Sequence, residues 1–331
     1  MRGRDAEPAT SSFEAAVVAG GERVVALMQR TERELTSAAG GYSVELSTHA
    51  LGTLTAGGKR LRPLLVFLCG VPAASDALVR MGAAVELVHM ATLVHDDVVD
   101  AAPLRRGQPT VFASAGPVVA TATGDFLLSR ALRLLAANGD SAQLRVLSDA
   151  CLALSQGEFA QRADVFAAGI EESRYLLRCD LKTARLFSAA CTLGGLAAER
   201  PRDQVELLSS FGVTVGLAFQ MLDDVLDVSG PAELTGKRRG TDLLEGTTTL
   251  PLILAREIDP LLRGLELREI RDPARAELVC DRIAATGALE RARARATEMI
   301  AEAKASLEGG LDSELRSALD LVADGIVERY A

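Results

Sequence analysis

Along almost the whole chain, apolar residues recur at intervals of three and four, and strict alternation is rare. Side chains spaced this way share one face of a helix, whereas a half-buried strand needs a period of two. The pattern therefore predicts an all-α fold. Composition points the same way. Hydrophobic residues make up 48%, but aromatics are only 4% and there is no Trp, so the interior must be built from Ala, Leu and Val, which suit packed helices. A chain of 331 residues has room for one large domain or two ordinary ones. No linker-like stretch divides it, and a single helical domain over 13–331 is expected after a short disordered lead, MRGRDAEPATSS, over 1–12.

The formal charge of -9 argues against a partner such as nucleic acid that demands a basic surface throughout, so any anion site must be a local concentration of Lys and Arg. The five cysteines are scattered, odd in number and never spaced Cys-x-x-Cys, which suits reduced thiols. No apolar segment follows the N-terminal arginines, and no uninterrupted apolar run approaches the roughly 18 residues of a membrane span. A soluble, cytoplasmic protein is the expectation.

Two helices can be bounded from their punctuation. The first is capped near Ser75 or Asp76 and is stopped by Pro103. The second starts around Asp203 and ends at Ser229, Gly230 and Pro231. The stretch from Leu262 to Ala276 reads as charged and irregular, and Ala284 to Tyr330 as one long amphipathic tail.

Each bounded helix carries an Asp-Asp-x-x-Asp cluster in its last turns, Asp96, Asp97 and Asp100 in one and Asp223, Asp224 and Asp227 in the other. Residues four apart lie on the same helix face, so Asp96 with Asp100, and Asp223 with Asp227, each present two carboxylates together. A helix C-terminus is already partially negative, and acids there are unfavourable by about 0.3 to 1 kcal/mol each when exposed. A single such run is usually a solvated acidic face. Two of them suggest paired hard-oxygen sites for magnesium, which completes its shell with water and substrate phosphates.

Diphosphate binding also needs fixed positive charge. GGKRLRP, Gly57 to Pro63, supplies Lys59, Arg60 and Arg62, and LRRG supplies Arg105 and Arg106 just after the first cluster. Alone, either stretch would pass for ordinary surface. Lys182, Thr183, Gln220 and Lys237 say little individually, although Gln220 shares a helix face with Asp223.

Taken together and in order, GGKRLRP, ELVHMATLVHDDVVD, LRRGQPT, Lys182-Thr183-Ala184, FQMLDDVLD, Gly236-Lys237 and GTDLLEGTTTLP resemble the trans-isoprenyl diphosphate synthases, the head-to-tail polyprenyl synthases. The likeness runs from about Gly57 to Pro251. It implies a helical bundle around a central cavity, of the isoprenoid synthase type, and condensation of isopentenyl diphosphate with an allylic diphosphate. By the same resemblance, Lys59, Arg62, His89 and Arg106 hold isopentenyl diphosphate. Arg105, Lys182, Thr183, Gln220 and Lys237 hold the allylic diphosphate. Asp96, Asp100 and Asp223 are the principal Mg2+ ligands, with Asp97, Asp224 and Asp227 supporting them. A homodimer is also implied, and a transient membrane contact for product release is a separate expectation. One departure is Thr247, where the family often has Lys after Glu-Gly.

Short-chain members tend to carry aromatics four or five residues before the first aspartate, and this chain has Thr92 and Ala91. The next positions on that face are Val88, Val85, Ala84 and Met81, which predicts a corridor open for several turns. With a turn spanning about 5.4 Å, near the reach of an isoprene unit, a product of about six to ten units is expected. The alternatives are a short-chain synthase or a class I terpene cyclase, the latter disfavoured by GGKRLRP and the second cluster. A di-iron bundle, suggested by the Glu86-x-x-His89 spacing, lacks its second Glu-x-x-His copy.

Overall fold

The computed structural model describes residues 12–55, 57–73, 75–230 and 238–328. Within them the chain runs through α1 (Ser12–Ala19), α2 (Gly21–Ala39), α3 (Val44–Thr55), α4 (Leu61–Gly70) and α5 (Asp76–Val99). A two-residue hairpin, β1 (Leu104–Arg105) with β2 (Gln108–Pro109), leads to α6 (Val111–Ala136) and α7 (Ser141–Asp164). Then come α8 (Glu172–Cys179), a π-helical turn (Asp180–Ala184), α9 (Arg185–Ala197) and α10 (Arg202–Ser229). After them lie α11 (Thr241–Leu244), α12 (Leu250–Ile258), α13 (Pro260–Arg263), a 3-10 turn (Leu267–Glu269), α14 (Pro273–Ala284), α15 (Ala288–Ser306) and α16 (Ser313–Glu328).

The two aspartate-bearing helices form where their caps direct. Ser75 accepts from Leu78 N and starts α5, while Ala101 takes a left-handed conformation just before Pro103 and ends it. α10 begins after Pro201 and ends at Gly230. α5 packs against α2, α4, α6 and α9; α10 packs against α9, α15 and the π turn. α9 thus separates the two long helices, and a continuous aliphatic core runs through all of them.

The C-terminal reading needs correction. The region read as one amphipathic tail is α15 and α16, broken around Gly309 and Gly310, and the irregular stretch contains the end of α13, the 3-10 turn and the start of α14. Gly309 sits at φ 74°, a left-handed conformation that stops a helix with little strain. The membrane criterion also reads differently helix by helix. α5, α6 and α10 are each long and apolar enough, by length and composition, to cross a bilayer, although 72% of the apolar window of α5 is buried inside the fold.

Candidate active site

Lys182 is brought to the first aspartate cluster by backbone packing. It sits on the π turn, and α7 approaches that turn so closely that a Cβ at Gly157 would lie 2.6 Å from Lys182 N. The approach sets Glu158 beside the ammonium. Lys182 Nζ is 2.7 Å from Glu158 Oε2 and 3.8 Å from Asp96 Oδ2. Burial alone would lower the lysine pKa, but Asp96 and Glu158 outweigh it and hold it above its ordinary value. The carboxyl of Asp96 is raised, chiefly by burial; Lys182 opposes the shift, while Glu158 and Asp100 add to it. Asp100 lies 3.5 Å from Arg162, which also reaches Glu158 at 3.4 Å.

Asp97 goes elsewhere. Successive helix residues are rotated by about 100°, so Asp97 turns inward and is only 4% exposed. Its Oδ1 accepts from Arg105 Nε at 2.8 Å. The pair read from sequence as a metal-side carboxylate and a substrate cation is thus an ion pair tying the β1–β2 hairpin to the end of α5.

The second cluster divides in the same way. A Cβ at Gly216 would lie 2.6 Å from Ala184 Cα, so α10 rides directly on the π turn and its side chains interlock with that turn. Thr183 Oγ1 donates to Gln220 Oε1 at 2.7 Å, Gln220 Nε2 donates to Asp224 Oδ1 at 2.8 Å, and Tyr175 OH donates to Asp224 Oδ2 at 2.7 Å. Asp224 is buried, and its carboxyl is raised well above the usual range by burial first and by Asp242 second. It anchors the helix while Asp223, one residue back, is exposed. Asp227 accepts from Asp242 N at 3.3 Å. Thr247 is buried in a loop closed by its own N–H to Asp242 O, and Arg178 donates to the next carbonyl, that of Thr248.

The basic residues form a separate cavity of about 370 Å³, lined among others by Lys59, Arg62, His89, Arg106 and Phe219. Arg62 stacks on the Phe187 ring at 4.5 Å, and its buried Nε has no hydrogen-bond partner. Its pKa falls to about 10, mainly through burial, and Arg106 lowers it further. At neutral pH it stays charged. His89 is held well below its ordinary value by burial and then by Arg62 and Arg106, so its ring is neutral. Arg60 also lines this cavity but plays a different part, since its guanidinium is engaged by Glu32 at 2.7 Å and Glu86 at 2.9 Å. That engagement explains Glu86 without a metal.

An aliphatic cavity of about 450 Å³ opens at Asp96 and Lys182 and is walled by Val88, Ala91, Thr92, Leu128, Cys151, Leu154 and Phe159. The corridor read from sequence is shorter on α5. Val85, Ala84 and Met81 are fully packed, and the fully buried Phe67 ring lies against Gly82 between them. The cavity leaves α5 at Val88 and continues towards α6 and α7.

The structure therefore gathers Asp96, Asp100 and Lys182 in one place, Thr183, Gln220 and Asp224 in a second, and Lys59, Arg62, His89 and Arg106 in a third. Lys237 lies outside the described residues. Glu158, Arg162 and Tyr175 were missed because each joins its site through packing between distant segments, while Phe219 opens the FQMLDDVLD motif but was given no role. Among the described residues no three His, Cys, Asp or Glu side chains converge as a metal cage. The carboxylate oxygens of Asp96 and Asp100, partly desolvated and crowded by Glu158, nevertheless suit a hard divalent ion that completes its shell with substrate oxygens.

The polyprenyl synthetase family model matches residues 44–277. The heptaprenyl diphosphate synthase component 2 of Geobacillus stearothermophilus is 38% identical over 291 residues, 87% of this chain and 91% of that protein. The nonaprenyl diphosphate synthase of Mycobacterium tuberculosis is 35% identical over 325 residues, 96% of this chain and 95% of that one. A polyprenyl synthase from Caulobacter crescentus, solved in complex with calcium and isoprenyl diphosphate, superposes with a TM-score of 0.90 at 32% identity, covering 98% of this chain and 100% of that one. With the helical fold, the two aspartate-bearing helix ends and these matches in agreement, the chain belongs to the polyprenyl synthetase family of prenyltransferases.

Proposed function

We propose that the chain condenses isopentenyl diphosphate with an allylic diphosphate to make an all-trans polyprenyl diphosphate of medium or long chain. The observation that carries this reading is the placement of two anion sites about one helix. His89 faces the basic cavity, and Asp96, seven residues or about 10.5 Å further along α5, faces the mouth of the aliphatic one. Lys59, Arg62 and Arg106 hold the diphosphate of the isopentenyl substrate, and neutral His89 supplies a hydrogen bond. Lys182, fully charged beside Asp96 and Glu158, neutralises the departing allylic diphosphate. The aliphatic walls keep water from the allylic cation and receive the growing tail.

Asp96, Asp100 and Asp223 are the residues that would hold Mg2+, which when bound supplies charge to stabilise the leaving diphosphate. Arg105, clamped by Asp97, and the Thr183–Gln220 pair flank this end of the site. The roomy wall at Ala91 and Thr92 supports a product beyond the short-chain range, in keeping with the heptaprenyl and nonaprenyl relatives. A homodimer is supported by the exposed apolar side chains of α6 and α7, where Val118 and Phe159 are each 80% exposed. Release of so apolar a product suits a transient membrane contact.

The test is incubation of the purified chain with farnesyl diphosphate and Mg2+, with and without isopentenyl diphosphate, followed by chromatography. Elongated polyprenyl products that appear only with isopentenyl diphosphate are expected. Cyclised hydrocarbons without it would refute the reading.

A further inference from the structure

The basic cavity has one wall that comes from neither the GGKRLRP loop nor α5. Phe13, the second residue of α1, lines it, and Lys59 Nζ lies over the Phe13 ring at 4.6 Å from the centroid. α1 is held there from the other end of the chain. Ser12 N and Ser12 Oγ both donate to the Glu328 carboxylate at the end of α16, at 3.1 and 2.5 Å. That carboxylate also sits at the N-terminus of α1, where a negative charge is favourable. The contact beneath is close: a Cβ at Gly325 would come within 3.1 Å of the Phe13 ring, so the bare helix surface of α16 admits it. Phe13 is only 8% exposed.

A lysine on a flexible stem, following two glycines, has many positions open to it. An aromatic face fixed in the wall selects one of them without neutralising the charge. The Glu328 carboxyl is held below its usual value by the two Ser12 hydrogen bonds, with the Lys59 charge acting in the same direction. The chain ends and the cavity lysine are therefore already coupled.

We propose that Phe13 is a positioning residue for Lys59, and that the Ser12–Glu328 latch makes the two ends of the chain part of the isopentenyl diphosphate site. This rests on the assignment of the basic cavity to isopentenyl diphosphate. On this proposal, removing Ser12 and Phe13 from α1, or Glu328 from the end of α16, leaves every motif of the chemistry in place and weakens affinity for one substrate only.

The experiment is steady-state kinetics of the full chain with each substrate varied in turn. Phe13→Leu should raise KM for isopentenyl diphosphate roughly three- to tenfold, with kcat and the allylic KM held within about twofold. Phe13→Tyr should restore the wild-type value, because it keeps the ring. Glu328→Ala, which removes the latch from outside the core, should shift the same KM even if Phe13→Leu folds poorly. In a Lys59→Ala background, Phe13→Leu should add nothing. If Lys59→Ala raises the isopentenyl KM but Phe13→Leu and Glu328→Ala do not, or if the effects simply add, the positioning role is overturned and the cavity assignment stands. If Lys59→Ala itself leaves that KM unchanged, the assignment falls and the role of Phe13 falls with it.

Discussion

A single oxygen of Asp97, Oδ1, lies 2.8 Å from Nε and 2.7 Å from Nη2 of Arg105, so one carboxylate of the first cluster fixes the guanidinium of the hairpin that follows it. The arginine reaches the mouth of the site already oriented. Charge-assisted hydrogen bonds of this kind contribute about 1.5–3 kcal/mol. Asp97→Ala should therefore raise the allylic KM by about tenfold or more, with a smaller change for isopentenyl diphosphate. Initial rates measured with each substrate varied would show it, and equal shifts in both would argue against this division of labour.

On the proposed function, Lys182 makes its strongest contribution once the allylic bond has begun to break, when charge has built up on the diphosphate. Removing a fixed donor to such a charge lowers kcat by roughly 10²- to 10³-fold. Lys182→Gln should show a fall in that range with little change in isopentenyl KM, measured by single-turnover and steady-state rates. Rates near wild type would remove Lys182 from the chemistry.

Tyr175 is fully buried, and its hydroxyl satisfies an equally buried oxygen of Asp224. Tyr175→Phe leaves that oxygen without the donor, at a cost of about 1–3 kcal/mol. Asp224→Asn should be milder, since the tyrosine hydroxyl can accept from the amide. Urea unfolding of both variants gives the comparison, and an unchanged midpoint for Tyr175→Phe would contradict it.

His89 is neutral in the folded protein because burial and the Arg62 and Arg106 guanidiniums oppose its protonation. The unfolded chain takes up that proton near pH 6.5. Below this point the unfolded state binds more protons, so the contribution is full above about pH 6.5 and is lost as pH falls. His89→Gln should flatten the decline in stability between about pH 7 and 5 when unfolding is followed at each pH. Parallel curves for mutant and wild type would place the proton elsewhere.

Ala91 forms part of the aliphatic wall one turn before His95 and Asp96. A phenyl ring at this position fills the cavity where the tail first enters. Ala91→Phe should shift the products to shorter polyprenyl chains on reversed-phase chromatography, with the condensation itself retained. An unchanged distribution would mean that the tail passes along another wall.

The parts of the molecule governed by local chemistry were legible in the sequence. Ser75 and Pro103 bound α5, and Gly230 ends α10, whose start at Arg202 lies one residue from the expected Asp203, because caps and breakers act on their immediate neighbours. The assignment of individual carboxylates was not. Whether Asp97 faces Arg105, or Asp224 faces Tyr175, depends on which helices lie alongside, and Tyr175 is 49 residues from its partner. The same limit hid Glu158, which reaches Lys182 only because Gly157 lets α7 meet the π turn. The corridor was overdrawn for a related reason: Val85 and Met81 share a helical face with Ala91, but a face covered by other helices offers no space.

Because α5 lines both cavities, the spacing between the proposed isopentenyl site and the aliphatic cavity is set by the helix backbone, not by any side chain. On the proposed function, point substitutions in the walls should change product size while leaving that spacing as it is. A one-residue insertion between His89 and Asp96 would rotate the two stations out of phase and stop synthesis outright. Variety in product length and constancy of reaction are thus written into separate features of one helix.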